Sequence, residues 1–202
     1  MGNLKPRKVG ATVGTRCSHE KPMTNAEVEA VTVGERVALN GPVELHPYSQ
    51  AWVQRYGKIA RVIGEQLGAA ALAVYHVGST AVPGIPAKPI VDVVLVVTDA
   101  SAEAAYVPLL ERAGFELYIR EPEWHEHRLL KCKWELANVH IFSKGCEEID
   151  RMLVFRDRLR SNAADRALYV HTKTELAAKT WKHVQNYADA KSEVVADIMS
   201  RA

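Results

Sequence analysis

The segment from Ile90 to Val97 is the most apolar stretch of the chain, and seven of its eight residues are Val, Ile or Leu. A run this short and this rich in β-branched residues predicts a central strand that is buried on both faces. Asp92 lies inside the run, where an unpaired carboxylate would cost several kcal/mol. The fold must therefore supply Asp92 with a Lys or Arg partner, a metal ion or backbone donors. An ion pair or a cap at the strand end would be purely structural, but the residues upstream favour a function.

A turn that begins with Gly78 and Ser79 gives this carboxylate a functional context. The apolar residues 72–77 predict a short strand that runs directly into the turn. Glycine lets a phosphate approach the backbone closely, and the backbone N–H groups of such a turn can bind it. Twelve residues separate Ser79 from Asp92, so a hairpin-like return brings the aspartate beside the turn. A phosphate at the turn and Mg²⁺ on Asp92 would then share one pocket.

The spacing of apolar residues predicts helices around this strand. Apolar residues recur every three or four positions from Trp52 to Leu67 and stop at Gly68, which predicts an amphipathic helix. We expect a second helix from Ser101 to Ala113, kinked at Pro108. Further strands are predicted at 43–46, 115–120, 128–134 and 139–143, with helices alone beyond residue 145. The predicted fold class is α+β, with a small mixed sheet, flanking helices and a C-terminal helical pack.

The composition is that of a globular protein with a basic N-terminal segment. The net charge is +2, and no stretch approaches the roughly 18 apolar residues of a membrane span, so no membrane partner is expected. Three widely spaced cysteines do not form a disulfide framework or a metal knuckle, which favours a reducing, cytoplasmic setting. Residues 1–23 carry five basic residues against Glu20 alone. We interpret residues 1–42 as a flexible basic arm, either solvated or attracted to phosphates, ahead of one domain at 43–202.

Polar residues around the glycine turn are candidates for catalysis or binding. Lys88 precedes Asp92 by four residues, and it either pairs with that carboxylate or binds phosphate. Ser79 and Thr80 offer hydroxyls to a phosphate or a metal. Ser79 is also a candidate nucleophile, although the sequence places no base next to it. His76 either contacts the ligand or supports the residues that do.

Other candidates lie far from the turn in sequence. Arg156 and Arg160 are one helical turn apart and project together, which suits a phosphate or a carboxylate as well as a surface ion-pair network. Lys173, on a later helix, is either solvated or bound to a phosphate or nucleic acid. His125 and His127 share one strand face and would form a metal site together with His140 or His76; the alternative is an exposed polar loop.

Two runs of this chain, His76–Gly84 and Ala87–Asp92, closely resemble the signature of the GrpB-like protein family. The resemblance continues through residues 155–160 and through Tyr169, Lys173, Tyr187 and Lys191, and it covers about residues 43–200. It implies a domain with a nucleotidyltransferase-type fold.

The chain departs from that superfamily at the acidic positions. Its nucleotidyltransferases usually carry two acids two positions apart on one strand and a third on a later strand, so that all three face two metal ions. Here Val94 follows Asp92 at that spacing, and the counterpart of the third acid is His140. The remaining possibilities are a single Mg²⁺ held by Asp92 together with His140, or an Asp92 that acts as a base or an orienting group without a metal.

Three functions are compatible with these residues. The first is a group-transfer enzyme for a nucleotide or another phosphate-bearing small molecule, in which Gly78 and Ser79 cradle the phosphates and Lys88 and Arg156 neutralise developing charge. The second comes only from the resemblance: a tRNA-dependent, arginine-containing cyclodipeptide synthase, whose basic C-terminal helices would meet an aminoacyl-tRNA. The third is a non-catalytic nucleotide-binding module. The sequence does not indicate the oligomeric state.

Overall fold

The computed structural model describes residues 22–34 and 38–202. Its helices are α1 (Asn25–Ala30), α2 (Ala51–Leu67), α3 (Val107–Arg112), α4 (Glu147–Ser161), α5 (Ala163–Ala177), α6 (Val184–Asp189) and α7 (Ser192–Met199). Its strands are β1 (Ala73–Val77), β2 (Val91–Val97), β3 (Phe115–Glu121), β4 (His127–Cys132) and β5 (Ala137–Ser143). A single 3₁₀ turn, Ser79–Ala81, follows β1.

The five strands form one mixed sheet in the order β1-β2-β5-β4-β3. Strands β2 and β5 run parallel, and the other three pairs are antiparallel. The apolar run around Asp92 is therefore an interior strand between β1 and β5, as its composition predicts. The predicted fold is confirmed: it is an α+β domain with a mixed sheet of nucleotidyltransferase type and flanking helices.

Alternation along β2 gives the sheet two different faces. Val91, Val93 and Leu95 lie on one face, where they pack with residues of β5, α2 and α3 in the largest apolar cluster. Val94 and Val96 lie on the opposite face, in a cluster that also contains residues of β5 and α4. Asp92 has the same parity as Val94, so its side chain lies on this second face. Helix α4 packs against this face.

Two local predictions are wrong. The segment after Ser101 is a 3₁₀ turn at Glu103–Ala105 followed by the short helix α3, rather than one kinked helix. Pro108 lies in the first turn of α3, where its missing N–H would have no intrahelical acceptor, so it causes no kink. Residues 43–46 form no strand; His46 makes only an isolated bridge with Ala87.

Parts of the predicted N-terminal arm contact the domain. Val28 is fully buried, the backbone N–H of Val33 donates to the carbonyl of Tyr118 at 2.9 Å, and that of Leu39 donates to the carbonyl of Lys182 at 2.8 Å. These described segments are therefore held against the domain rather than extended away from it. Residues 1–21, which carry most of the basic charge, lie outside the described residues, and the boundary at residue 42 stays a prediction. None of the helices within the described ranges is long and apolar enough to cross a membrane.

Candidate functional site

A pocket opens on the face of the sheet that carries Asp92. Its floor is formed by the ends of β1 and β2, and its walls by residues of α4, α5 and α6. Seven of the predicted site residues line it: Gly78, Ser79, Thr80, Lys88, Asp92, His140 and Lys173. Residues that are distant in the sequence are thus brought together at one site.

Asp92 is the only acid among the described residues that line this pocket. Its side chain is 21% exposed, and its Oδ1 accepts a hydrogen bond of 2.9 Å from Nδ2 of Asn138 and lies 3.8 Å from Nε2 of His140. Burial acts to raise the pKa of this carboxyl, but the hydrogen-bond donors and the positive charge around it outweigh burial and lower the pKa overall. Asp92 is therefore a carboxylate at neutral pH.

Gly78 brings the turn against this carboxylate. The register pairs Val77 with Asp92, so the turn begins directly beside the aspartate. Gly78 has φ +68° and ψ −169°, a conformation that essentially only glycine adopts. A Cβ at this position would lie 2.8 Å from Oδ2 of Asp92. The approach of turn and carboxylate therefore requires glycine for two reasons, its backbone conformation and its lack of a side chain.

Lys173 of α5 reaches into the turn from the opposite wall. Its Nζ donates hydrogen bonds of 2.8 Å to Oγ of Ser79 and to the carbonyl of Pro86, and the residue is 3% exposed. Burial lowers the pKa of this amine to about 7, and repulsion by Lys88 adds to the effect. A large fraction of Lys173 is thus neutral at physiological pH, in contact with a serine hydroxyl.

Two further lysines make the pocket electropositive. Burial lowers the pKa of Lys88 to about 8, although Asp92 opposes the shift. Lys191, the residue just before α7, is buried, with its Nζ 3.7 Å from the ring centroid of Tyr187, and it also donates to the Tyr187 carbonyl. Lys88 and Lys191 outnumber the single carboxylate, and the protonated fraction of Lys173 adds to their charge, so the site attracts anions.

Three predicted residues lie outside the pocket lining and support the turn instead. Nε2 of His76 lies 3.0 Å from Oγ1 of Thr80, and burial lowers the pKa of this histidine to about 4. Arg156 donates to the carbonyl of His76 at 3.0 Å. Arg160 donates twice to the carbonyl of Ala81, at 2.9 and 2.7 Å. The arginines therefore project together as predicted, but in this structure their guanidinium groups bind the backbone on either side of the turn.

The donors of the pocket do not fit the magnesium ion expected at Asp92 and His140. Adjacent ligands of an octahedral Mg²⁺ lie about 3 Å apart, and the ion prefers oxygen to imidazole nitrogen. Here the carboxylate and the imidazole are 3.8 Å apart, the second acid is replaced by Val94, and the surrounding lysines oppose a divalent cation. Across residues 22–34 and 38–202, no group of three or more His, Cys, Asp or Glu side chains is arranged to hold a metal. Magnesium dependence stays a prediction, and the residues present do not support it.

Sequence reasoning missed Asn138 and left the surroundings of His127 and Lys191 open. Asn138 follows from the parallel register of β2 and β5, which pairs it with Asp92. His127, one of the residues of the predicted exposed loop, is instead 3% exposed and contacts His140. Lys191 lies four residues after Tyr187, and the family resemblance was the only signal that marked this pair.

Comparisons with known proteins agree with this fold. The model of the family described as GrpB protein matches residues 42–201. The UPF0157 protein BH1888 of Halalkalibacterium halodurans is 50% identical over 185 residues, which are 92% of this chain and 95% of that protein. The UPF0157 protein SCO7215 of Streptomyces coelicolor is 42% identical over 160 residues, covering 79% of this chain and 84% of that protein. The crystal structure of the conserved protein GrpB from Enterococcus faecalis matches with a TM-score of 0.69 and 29% identity, and covers 78% of this chain and 96% of that one. None of these names states a reaction.

Proposed function

Given that the chain belongs to the GrpB family, we propose that it is a group-transfer enzyme that acts on a phosphate-bearing substrate, with Ser79 as its nucleophile. The observation that carries the proposal is the 2.8 Å contact between Nζ of Lys173 and Oγ of Ser79. A nucleophilic serine needs an adjacent base, and a lysine whose pKa is lowered to about 7 can serve as one near neutral pH.

Hydrogen bonding around Lys173 suits this role. In the neutral amine, the lone pair accepts the hydroxyl proton of Ser79, while one N–H still donates to the carbonyl of Pro86. The carbonyl therefore orients the amine whether or not it is protonated. The contact directs the lone pair of the amine toward the hydroxyl it would activate.

The lysines supply the affinity for an anionic substrate. Lys88 and Lys191 lie on the walls of the same pocket as Ser79, and Asp92 is the sole acid among the described lining residues. In a largely buried pocket, positive charges bind and orient a phosphate strongly and stabilise negative charge that develops on the leaving group. This charge pattern supports a phosphate-bearing substrate over a neutral or cationic one.

The transfer proceeds in two balanced steps. In the first, Ser79 Oγ bonds to the acyl carbon or phosphorus of the substrate, its proton passes to Lys173, and the leaving group departs with the bonding electron pair and takes that proton. In the second, an acceptor hydroxyl or amine attacks the same atom and loses its proton, and Oγ of Ser79 leaves and is reprotonated. A serine intermediate of this kind does not require the acids that Val94 and His140 replace.

The tRNA-dependent alternative uses the same serine. An aminoacyl group on Ser79 would be the intermediate, and phosphates of the aminoacyl-tRNA would bind near the lysines that line the pocket. The lone acid at the site favours acyl transfer over two-metal nucleotidyl transfer. A non-catalytic nucleotide-binding module would bind the same anions without forming any covalent intermediate.

Intact-protein mass spectrometry tests the proposal. The protein is incubated separately with nucleoside triphosphates and with charged total tRNA, with and without Mg²⁺ and RNase. We expect a mass increase that maps to Ser79, disappears in Ser79→Ala and forms about 10²- to 10⁴-fold more slowly in Lys173→Met. The matched control is Ser161→Ala, which removes an exposed hydroxyl that donates to the Asp157 carbonyl. An adduct retained in Ser79→Ala would contradict the proposal, and anion binding with no adduct would favour the non-catalytic module.

A further inference from the structure

Helix α5 turns a row of mostly polar side chains toward the interior of the protein. Its buried residues are Asp165, Tyr169, Lys173 and Ala177, which lie on one face because residues four positions apart are neighbours on a helix. Asp165 accepts hydrogen bonds of 2.7 and 2.8 Å from two arginine side chains, which anchor the start of the helix. The next two members of this face, Tyr169 and Lys173, both line the pocket.

These two pocket residues of α5 contact the same atom. Oγ of Ser79 lies 2.8 Å from Nζ of Lys173 and 3.4 Å from the hydroxyl of Tyr169. The mechanism proposed above uses the lysine as a base and gives the phenol no role. Because one helix carries both groups one turn apart, both are held at the serine by the packing of that helix.

The ring of Tyr169 is fixed by the apolar core. The residue is 4% exposed, and its ring meets that of Phe155 edge-on at 5.2 Å between ring centroids. Both rings belong to a buried cluster that also contains Val82 and Ile85, which follow the turn in the chain. The same cluster therefore packs the phenol and the segment after Ser79, and it holds the hydroxyl of Tyr169 beside Oγ.

The number of hydrogens on Oγ decides which hydroxyl donates in this contact. In the covalent intermediate, Oγ of Ser79 is bonded to carbon or phosphorus, so it carries no hydrogen and can only accept. The phenol of Tyr169 is then the one hydroxyl of the two that can donate. This direction holds whether or not Lys173 is protonated.

We propose that Tyr169 is a further catalytic residue, which donates a hydrogen bond to Oγ of Ser79 and stabilises the negative charge on that oxygen when it leaves in the second step. The inference rests on the proposed function. In this step the acceptor bonds to the acyl carbon or phosphorus and gives its proton to Lys173. The bond from that atom to Oγ breaks, and its electron pair goes to Oγ. Lys173 then returns the proton to Oγ, and the phenol keeps its own hydrogen.

The length of the contact suits a role in the transition state. An O–H···O hydrogen bond is usually about 2.7–2.8 Å long, so a contact of 3.4 Å contributes little in the resting protein. Hydrogen bonds to ionised oxygen are shorter and stronger, so this one should tighten as charge develops on Oγ. An interaction that is stronger in the transition state than in the ground state accelerates the reaction. In the first step the same donor competes for the electrons with which Oγ attacks, so it gives no comparable acceleration there.

Acetyl phosphate, a small acyl phosphate, probes the two steps separately in the full chain. Intact-protein mass spectrometry follows the formation of acetyl-Ser79 and then, after the excess reagent is removed, its release to hydroxylamine. Tyr169→Phe removes the hydroxyl and keeps the ring against Phe155. We expect formation to be nearly unchanged and release to be about 10²-fold slower, as for the loss of one donor to a developing oxyanion. The matched control Tyr48→Phe, which removes a hydroxyl 3.3 Å from Oε1 of Gln50, should change neither step.

A second variant separates catalysis by Tyr169 from packing. Ser79→Cys makes the leaving atom a sulfur, which departs readily as a thiolate because the usual pKa of a cysteine thiol is about 8.5, and which is a weak hydrogen-bond acceptor. In this background Tyr169→Phe should slow the release of the acetyl group far less than it does with serine. A loss of equal size in the serine and cysteine proteins would show a structural effect and would overturn the role of Tyr169.

The outcomes distinguish this inference from the function on which it rests. If acetyl-Ser79 forms and its release is equally fast in the wild type and in Tyr169→Phe, the role of Tyr169 is wrong and the proposed function stands. Equal slowing of formation and release would also contradict that role. No adduct on Ser79, either from acetyl phosphate or from the substrates tested above, would overturn the proposed function and this inference with it.

Discussion

Substituting Gly78 by alanine tests whether the turn and Asp92 are as closely packed as the structure shows. The backbone conformation of Gly78 costs a residue with a side chain about 1–3 kcal/mol. The new Cβ would also meet Oδ2 of Asp92 at 2.8 Å, so either the turn or the carboxylate must move. If the carboxylate moves, it loses the charge-assisted hydrogen bond from Asn138, which contributes about 1.5–3 kcal/mol. We therefore expect Gly78→Ala to lower the free energy of unfolding by about 2.5–6 kcal/mol if the carboxylate moves.

The assay is urea-induced unfolding followed by circular dichroism, with Gly84→Ala as the matched control. Gly84 also has a positive φ, of +83°, but a Cβ there would have no atom within 4 Å. It should therefore show only the backbone penalty of about 1–2 kcal/mol. In an Asp92→Ala background the closest contact of the Gly78→Ala Cβ is removed, and its excess penalty should shrink toward that of Gly84→Ala. The reasoning is refuted if both alanine variants are equally stable, or if the penalty is the same with and without Asp92.

Three further predictions concern the charges around the turn. Lys173→Met should raise the free energy of unfolding at pH 6. This gain in stability should shrink between pH about 7 and 10.5, because in that range the unfolded wild type binds a proton that the folded wild type does not. A gain that is independent of pH in urea titrations would contradict this. The affinity for phosphate, measured by calorimetry, should fall as the pH rises through about 8, where Lys88 loses its charge. Lys88→Met should lower the affinity at pH 7 and make it less dependent on pH. Identical pH profiles for the wild type and the variant would disprove a role for Lys88. Arg160→Ala should destabilise the protein by about 1–3 kcal/mol in thermal or urea unfolding, because the Ala81 carbonyl loses both donors. The control Arg61→Ala breaks only an exposed i,i+4 ion pair and should change stability by less than about 0.5 kcal/mol. Equal losses would count against a supporting role for Arg160.

Features that depend on neighbouring residues could be predicted from the sequence. The apolar run that became β2 is short and rich in valine, and its burial on both faces follows from that pattern alone. The turn at Gly78 and its return to Asp92 depend on only a few residues, so the closeness of the two was also predictable. The α+β class followed from the order of these local elements. The prediction of a kink at Pro108 was wrong because proline is tolerated in the first turn of a helix, and the sequence does not show where that turn begins.

Contacts between distant segments were decided by the tertiary structure. Ser79 and Lys173 are 94 positions apart, and their contact depends on how α5 packs over the sheet. The same packing buries Lys173 and lowers its pKa, which turns an ordinary helix lysine into a candidate base. His127 and His140 meet because β4 and β5 pair in one register, and a shift of one residue would move a side chain to the other face. Local sequence determines which elements form and which face of each is apolar, whereas register and helix packing determine which polar side chains meet, and the chemistry of this site depends on those meetings.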